Sequence, residues 1–166
     1  MKYTLLIVIA VMLVSTHAYE RLWSKGDSLL SELQNGDSSL HFVMFFDSTF
    51  TSATYAKTVA NDQTTKDLIE YMTSISEGGK TPFPAPITFS KVDSVDDFNA
   101  NLLFKFGVKA KGLEQGPTVV ALRDGKGYSV DGPQIISELK KCVAKMGGAA
   151  EEKKAEEKPK SEKAAR

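Results

Sequence analysis

The chain has 166 residues, of which 42% are apolar and 25% are charged, as expected for one globular domain with its own core. Its 21 acidic and 21 basic residues cancel, so the charge balance gives no sign of a nucleic-acid partner or of an electrostatic membrane binder. The single cysteine, Cys142, excludes an internal disulfide.

The first 18 residues have the pattern of a secretory signal peptide. Lys2 supplies a positive charge, and residues 5–14 are continuously apolar. The small residues Thr16 and Ala18 then stand at positions −3 and −1 of a cleavage site after Ala18. The alternative is an uncleaved membrane anchor, but this apolar run is much shorter than the roughly 20 residues that span a bilayer. We expect cleavage after Ala18, no membrane span afterwards, and a location in the endoplasmic reticulum lumen or outside the cell.

The next segments predict a short helix and then a strand. Asp27 is a plausible N-cap for a helix that Asn35 and Gly36 end. Residues 40–46, "LHFVMFF", are rich enough in aromatic and β-branched side chains for a buried strand.

From Ala53 to Ile75 the pattern is helical but uneven. Tyr55 and Val59 share one apolar face, and a second set is formed by Leu68, Met72 and Ile75. The polar stretch between the two sets either bends the helix or begins a second helix capped by Thr64 or Thr65. Residues 77–86, with two Gly and three Pro, are predicted to form a loop.

Residues 87–92 are predicted as the next strand, and residues 94–108 as a helix with Ser94 and Asp97 in a capping-box arrangement. Residues 118–122 and 128–130 flank an Asp-Gly turn and predict a hairpin.

The last predicted helix begins with Pro133 at its first position and stops at Gly147 and Gly148. Its apolar stripe comprises Ile135, Leu139, Cys142 and Met146. Residues 149–166 contain no large apolar side chain and are predicted to be a charged, disordered tail that can form transient helix before Pro159. The resulting division is a signal peptide at 1–18, one domain at 19–148 and a tail at 149–166.

This order of elements predicts an α/β sandwich, in which a mixed central sheet is flanked by helices. Four segments resemble, in order, those of thioredoxin-fold domains of the protein disulfide isomerase family. They are "HFVMFFDS", "ITFSKVD", "LLFKFGV" and "GPTVVALRDGKGYSVDGP". The resemblance spans about residues 24–146 and is most specific from residue 87 onward.

The resemblance fails where that family carries its chemistry. The family has a Cys-x-x-Cys pair at a helix N-terminus, where the first thiolate attacks disulfides. The matching positions are Phe50 and Ala53, or Thr51 and Thr54, and none of them holds sulfur. Met44 stands where the family has a buried carboxylate. We therefore expect no dithiol oxidoreductase activity at this turn.

The loop expected to face this turn still matches the family. Gly116, Pro117 and Thr118 match the family's cis-proline element, which offers backbone groups to an extended client peptide; alternatively, Pro117 only shapes the turn before a strand. Residues 109–116 exceed the family's usual loop by about five residues. The insertion lies at the rim of the former active site, where loops often carry specificity.

Other reactive residues have simpler explanations. Cys142 lies on an apolar stripe and is expected to be structural, with a mixed disulfide to a partner chain as the alternative. His41, at the start of a strand, has no third group for a triad and too few companions for zinc. Asp93, Asp96 and Asp97 suit helix capping better than calcium binding. We expect no cofactor and no metal site.

The leading hypothesis is a redox-inactive, protein-binding module of the secretory pathway that acts as a chaperone or as a fixed assembly partner. Its expected contact surface is formed by Thr49, Phe50, Thr51, Ser52, Gly116, Pro117 and Thr118. Phe50 either projects beside Pro117 as an anchor for the partner or folds inward over the core. The alternatives are a thiol-disulfide oxidoreductase that acts through Cys142, and a purely structural subunit of a larger complex.

Overall fold

A mixed sheet forms the centre of the domain. The computed structural model describes residues 19–35, 38–49, 55–77 and 86–156, with the backbone alone over 148–156. Within these residues the strands are β1 (Glu20–Arg21), β2 (Leu40–Phe46), β3 (Ile87–Asp93), β4 (Thr118–Arg123) and β5 (Lys126–Val130). They lie in the order β1-β3-β2-β4-β5.

β2 is the central strand because its sequence can be buried on both faces. It runs parallel to β3, with Phe42 beside Phe89, and antiparallel to β4, with Phe42 beside Ala121. β1 extends the parallel side, and β5 pairs antiparallel with β4 through the predicted turn. Asp124 and Gly125 both have positive φ in that turn, at 51° and 69°, as the predicted Asp-Gly hairpin requires.

Helices cover both faces of the sheet, and the sheet separates two apolar cores. They are α1 (Gly26–Gln34), α2 (Tyr55–Glu77), α3 (Ala100–Lys105) and α4 (Ile135–Glu156), with 3-10 segments at Asp97–Asn99 and Ala110–Glu114. The core under α2 and α4 includes Phe42, Met44, Leu68, Met72 and Leu139. The core under α1 and α3 includes Leu29, Phe45, Leu102, Leu113 and Val120. The α/β sandwich with a mixed sheet is confirmed.

Several predicted element ends differ in the structure. α1 begins at Gly26 with Lys25 in the N-cap position, so the prediction of Asp27 as the cap was wrong. Asp27 instead accepts a hydrogen bond from the side chain of Asn101 at 2.6 Å. Gly26 takes the first position because φ is +53° there and its amide donates to Asn99 Oδ1 at 3.1 Å.

α2 is one continuous helix, without a second cap at Thr64 or Thr65. The Thr65 hydroxyl donates to the carbonyl oxygen of Asn61 within the helix at 2.8 Å. Leu68 and Met72 are buried as predicted, but Tyr55 and Val59 point outward, with 68% and 48% of their surface exposed.

The segment after β3 is shorter and less regular than the predicted helix. It consists of the 3-10 segment and the six-residue α3, and the N-cap of the 3-10 segment makes no side-chain cap hydrogen bond, which contradicts the capping box of Ser94 and Asp97. Asp93 caps the loop instead, because its Oδ1 accepts the Val95 amide at 3.1 Å.

α4 starts at Ile135, two residues after Pro133, and continues through Gly147 and Gly148 to Glu156, so the predicted stop was wrong. Glycine weakens a helix by about 1 kcal/mol relative to alanine, but here Gly147 is buried and the sequence that follows is rich in Ala, Glu and Lys.

Two large aromatic side chains lie on the surface and not in a core. Trp23 is 74% exposed in the segment after the edge strand β1, with the Arg21 guanidinium 4.0 Å from its ring centroid. Phe104 is 80% exposed because α3 directs its neighbours Leu102 and Leu103 into the core. Phe42 and Phe45 are buried as predicted.

The predicted signal peptide, the 78–85 part of the loop and the end of the tail lie outside the described residues. Among the helices in the described part of the chain, none combines the length and apolarity needed to cross a membrane.

Candidate binding groove

An open groove of about 1090 Å³ lies where β4 begins and β5 ends. Its first wall is α2, its second is the segment from Gly107 to Gln115, and its third is the end of β5 with the start of α4. The α2 wall is formed by Ala60, Gln63, Thr64 and Asp67. The third wall includes Ser129, Asp131, Gly132, Pro133 and Gln134.

The predicted residues Gly116, Pro117 and Thr118 all line this groove. Pro117 and Thr118 are buried, and Thr118 is paired with Phe45 at the end of β2. The loop therefore lies at the same end of the sheet as the turn that follows β2. The described residues contain no cis peptide bond, so the Gly116–Pro117 bond is trans and differs from the cis-proline element that the resemblance implies.

The second wall contains the inserted residues, and it is anchored to the core. Residues Ala110–Glu114 form a 3-10 segment in which the side chain of Leu113 is completely buried in the core under α1 and α3. Lys109 and Lys111 stay exposed on the same segment. The insertion is thus a wall fixed to the core, and its outer surface carries two lysines and Glu114.

Of the predicted residues on the turn, only Thr49 is described. It is exposed, and its amide donates to the Asp47 carboxylate at 2.7 Å. Thr49 is not among the described lining residues of the groove. Phe50, Thr51 and Ser52 lie outside the described residues, so the position of Phe50 relative to Pro117 stays a prediction.

Beside this turn lies an ion pair that the sequence analysis missed. Lys57 Nζ is 2.9 Å from Asp47 Oδ2, and the Lys57 side chain is only 4% exposed. Burial by itself raises the pKa of Asp47, but hydrogen bonds from Thr49 and Lys57 and the charge of Lys57 hold it below the ordinary value of 3.8. Asp47 is therefore ionised in the folded protein at neutral pH.

Met44 is fully buried at the place where the resemblance has a carboxylate. Its partner in β3 is Lys91, whose pKa is lowered by burial, while the charge of Asp62 opposes that shift. The Lys91 ammonium lies 4.9 Å from the ring centroid of Phe46. Met44 cannot transfer a proton, so this position of β2 supplies no acid or base.

Cys142 lies on α4, away from the groove. It is partly buried and packs against the core under α2 and α4, whereas Val143, absent from our predicted stripe, is more deeply buried. Burial raises the pKa of the neighbouring Tyr71 to about 12, and a Cys142 thiolate charge adds to this effect. The thiol therefore does not line the groove that contains the predicted contact residues 116–118.

His41 and Asp93, which the sequence offered as reactive residues, both make hydrogen bonds within the fold. His41 is buried, with Nδ1 2.6 Å from the Thr88 hydroxyl oxygen. Asp93 accepts the Ser48 amide at 3.2 Å in addition to that of Val95. Within the described residues, no three His, Cys, Asp or Glu side chains come together as metal ligands.

Comparison with solved structures shows what this architecture is similar to. The crystal structure of thioredoxin from Trypanosoma brucei brucei matches with a TM-score of 0.51 and 14% identity, over 81% of this chain and 95% of that one. The chain has a thioredoxin fold. The first thioredoxin domain of mouse protein disulfide-isomerase A4 matches with a TM-score of 0.50 and 15% identity, over 79% of this chain and 76% of that domain's chain. Comparison with protein-family models and with curated protein sequences gives no match.

These identities establish the fold and leave function to the site itself. In this thioredoxin fold, the groove offers backbone and small polar side chains together with both signs of charge. Acidic groups line it at Asp67, Asp131 and Glu114, and basic groups line it at Lys109 and Lys111. Such a surface can hold an extended polypeptide through hydrogen bonds and charge contacts, without a covalent step.

Proposed function

We propose that this thioredoxin-like module binds extended segments of other proteins in the groove beside Gly116, Pro117 and Thr118, without thiol chemistry. The proposed role is that of a chaperone-like protein of the secretory pathway. The single observation that carries it is the groove, which combines the predicted loop with a rigid inserted wall.

The dimensions and lining of the groove support a peptide ligand. A volume of about 1090 Å³ slightly exceeds the roughly 300–1,000 Å³ typical of small-molecule pockets. The lining is mixed in polarity, and it contains several exposed backbone segments that carry glycine. Extended chains are recognised in this way, through main-chain hydrogen bonds and pockets for alternate side chains.

The distribution of sulfur supports binding without exchange. Dithiol exchange needs two cysteines close together, and the sequence has only Cys142. That thiol packs against Tyr71 and the neighbouring core on α4 and does not line the groove. A reaction through Cys142 would leave the predicted contact loop unused.

Entry into the secretory pathway is the part of the proposal that rests on the sequence. It is supported by the apolar run at residues 5–14 and by the small residues before position 19. The endoplasmic reticulum lumen and the extracellular space both fit this signal.

A fixed assembly partner is the second candidate, and a different surface favours it. Phe98, in the 3-10 segment before α3, and Phe104, in α3, are 79% and 80% exposed, and neither lines the groove. Exposed aromatic side chains often mark protein contacts. Purification of the tagged chain with one stoichiometric partner, retained by groove variants and lost with Phe104→Asp, would favour this candidate.

A groove-filling variant with a matched control tests the proposal. Thr64→Arg places a long side chain on the α2 wall, whereas Thr73→Arg makes the same change on α2 outside the groove. The probe is reduced, carboxymethylated α-lactalbumin, an unfolded protein with blocked thiols. We expect Thr64→Arg to weaken binding strongly and Thr73→Arg to leave it unchanged. Equal binding by both variants and the original chain, or no binding by the original chain, would contradict the proposal.

A further inference from the structure

The N-terminal half of α2 packs against the sheet through polar side chains. Lys57 and Asn61 are only 5% and 6% exposed, while the apolar Tyr55 and Val59 on the other side of the helix face solvent. A helix normally places its apolar side chains inward. The inward polar residues therefore need a specific reason for their position.

The reason is that Asp47, just beyond β2, binds this half of the helix at two points. Its Oδ2 accepts from Lys57 Nζ at 2.9 Å, and its backbone oxygen accepts from Asn61 Nδ2 at 3.3 Å. Its remaining carboxylate oxygen, Oδ1, accepts the amide of Thr49. One residue directly after β2 thus fixes the first two turns of α2 and the amide of Thr49.

These contacts are directional, and apolar packing is not. An ammonium that is removed from water has to keep its anionic partner, because an unpaired buried charge is strongly unfavourable. Thr65 extends the connection one turn further, since its hydroxyl donates to the Asn61 carbonyl oxygen and lies 3.4 Å from Met44 Sδ in β2. The helix therefore cannot slide or rotate on the sheet without breaking the pair.

The same helical turns form one wall of the groove. Ala60, Gln63 and Thr64 line the groove, and they alternate along α2 with the anchored residues Lys57 and Asn61. A change in the seating of the anchored face would displace the wall face, because both belong to one rigid helix.

We infer that Asp47 and Lys57 are positioning residues for the binding groove, which they shape by fixing the α2 wall to the end of β2. This inference rests on the proposed function. Neither residue lines the groove; both act through the placement of Ala60, Gln63 and Thr64.

The test combines Lys57→Met, which breaks the pair, with Lys57→Arg, which keeps the charge. Asp96→Asn is the matched control, because it breaks the more exposed pair of Lys25 and Asp96 at 3.3 Å. Affinity for reduced, carboxymethylated α-lactalbumin is measured on the full chain, together with hydrogen exchange of the amides of residues 60, 63 and 64. We expect Lys57→Met to lower affinity about tenfold and to speed exchange at these amides. Lys57→Arg is expected to restore both, and Asp96→Asn to change neither.

Unchanged affinity and exchange in a folded Lys57→Met variant would overturn the inference. If Lys57→Met does not fold, the apolar double variant Asp47→Leu/Lys57→Met replaces it, since removing both charges avoids an unpaired one. If the original chain does not bind the probe, the proposed function fails. Hydrogen exchange by itself then tests whether Asp47 and Lys57 position the α2 wall. Faster exchange in Lys57→Met than in Lys57→Arg supports that role, and equal exchange contradicts it.

Discussion

The ammonium group of Lys57 lies 2.9 Å from the carboxylate of Asp47, across the turn that joins β2 to α2. In the thioredoxin-like proteins that the sequence resembles, this turn carries a cysteine pair. Here the chain has no sulfur in the turn, and a buried ion pair connects the strand to the helix beside it. This pair fixes the end of β2 to the first turn of α2.

Breaking this pair should destabilise the fold. Lys57→Met leaves the Asp47 carboxylate, which is 16% exposed, without its cation. Loss of one partner of a fully buried pair costs roughly 3–5 kcal/mol, and the residual exposure of Asp47 reduces the expected loss to about 2–3 kcal/mol. Urea unfolding measures it, with Lys66→Met on the exposed face of α2 as the control. A loss of the same size in both variants would show that the pair has no special role.

The pair should also make stability depend on pH in the acid range. The folded state holds the pKa of Asp47 below 3.8, so the ionised carboxylate stabilises the folded protein above that pH. This contribution is lost as pH falls through the lowered pKa. We expect the stability difference between the original chain and Asp47→Asn to be constant from pH 6 to 5 and to shrink below about pH 4. Urea unfolding at several pH values tests this, and a difference that stayed the same from pH 6 to pH 3 would contradict it.

The inserted wall should depend on a single apolar side chain. Leu113 is completely buried, so Leu113→Ala leaves a cavity in the core under α1 and α3. Substitutions of this kind cost about 2–5 kcal/mol. The exposed Lys111→Ala in the same 3-10 segment should change stability by less than about 0.5 kcal/mol. If Leu113→Ala changed stability as little as Lys111→Ala, the insertion would be a surface loop that Leu113 does not anchor.

Gly26 should tolerate no side chain. A Cβ there would lie 2.5 Å from the carbonyl oxygen of Phe98, and φ is +53°, where other residues are strained. We expect Gly26→Ala to lose at least about 2 kcal/mol of unfolding free energy from the two effects together. Gly112→Ala is the control, because a Cβ at Gly112 meets nothing within 4 Å. Thermal unfolding of the two variants measures the difference in their midpoint temperatures. Equal midpoints would refute the close contact between Gly26 in α1 and Phe98 in the 3-10 segment Asp97–Asn99.

The sequence predicts the sheet well because its strands have strong local signals. β2 was predicted at its observed limits, Leu40 and Phe46, and the Asp-Gly turn predicted the hairpin. The edge strand β1 was missed, since two exposed residues carry no pattern. Helix ends were predicted less well, because tertiary contacts such as that of Gly26 with Asn99 decide where α1 begins.

The α2 side of the candidate site was misread for a physical reason. Apolar periodicity favours Tyr55 and Val59 as the inner face, but a paired charge can be buried in their place. One signal was available: the buried stripe of Leu68 and Met72, continued backwards at helical spacing, leads to Asn61 and Lys57. Only the structure supplies the partner, Asp47, that makes this register favourable.

The central claim is that the groove holds extended polypeptide without a thiol reaction. It is tested most directly by titrating the isotopically labelled full chain with reduced, carboxymethylated α-lactalbumin and following the backbone amide resonances. We expect saturable shifts concentrated at Gly116, Thr118, Thr64 and Ser129, and the same shifts in Cys142→Ser. Shifts that avoid these residues, or binding that requires free thiols on the client and disappears in Cys142→Ser, would contradict it.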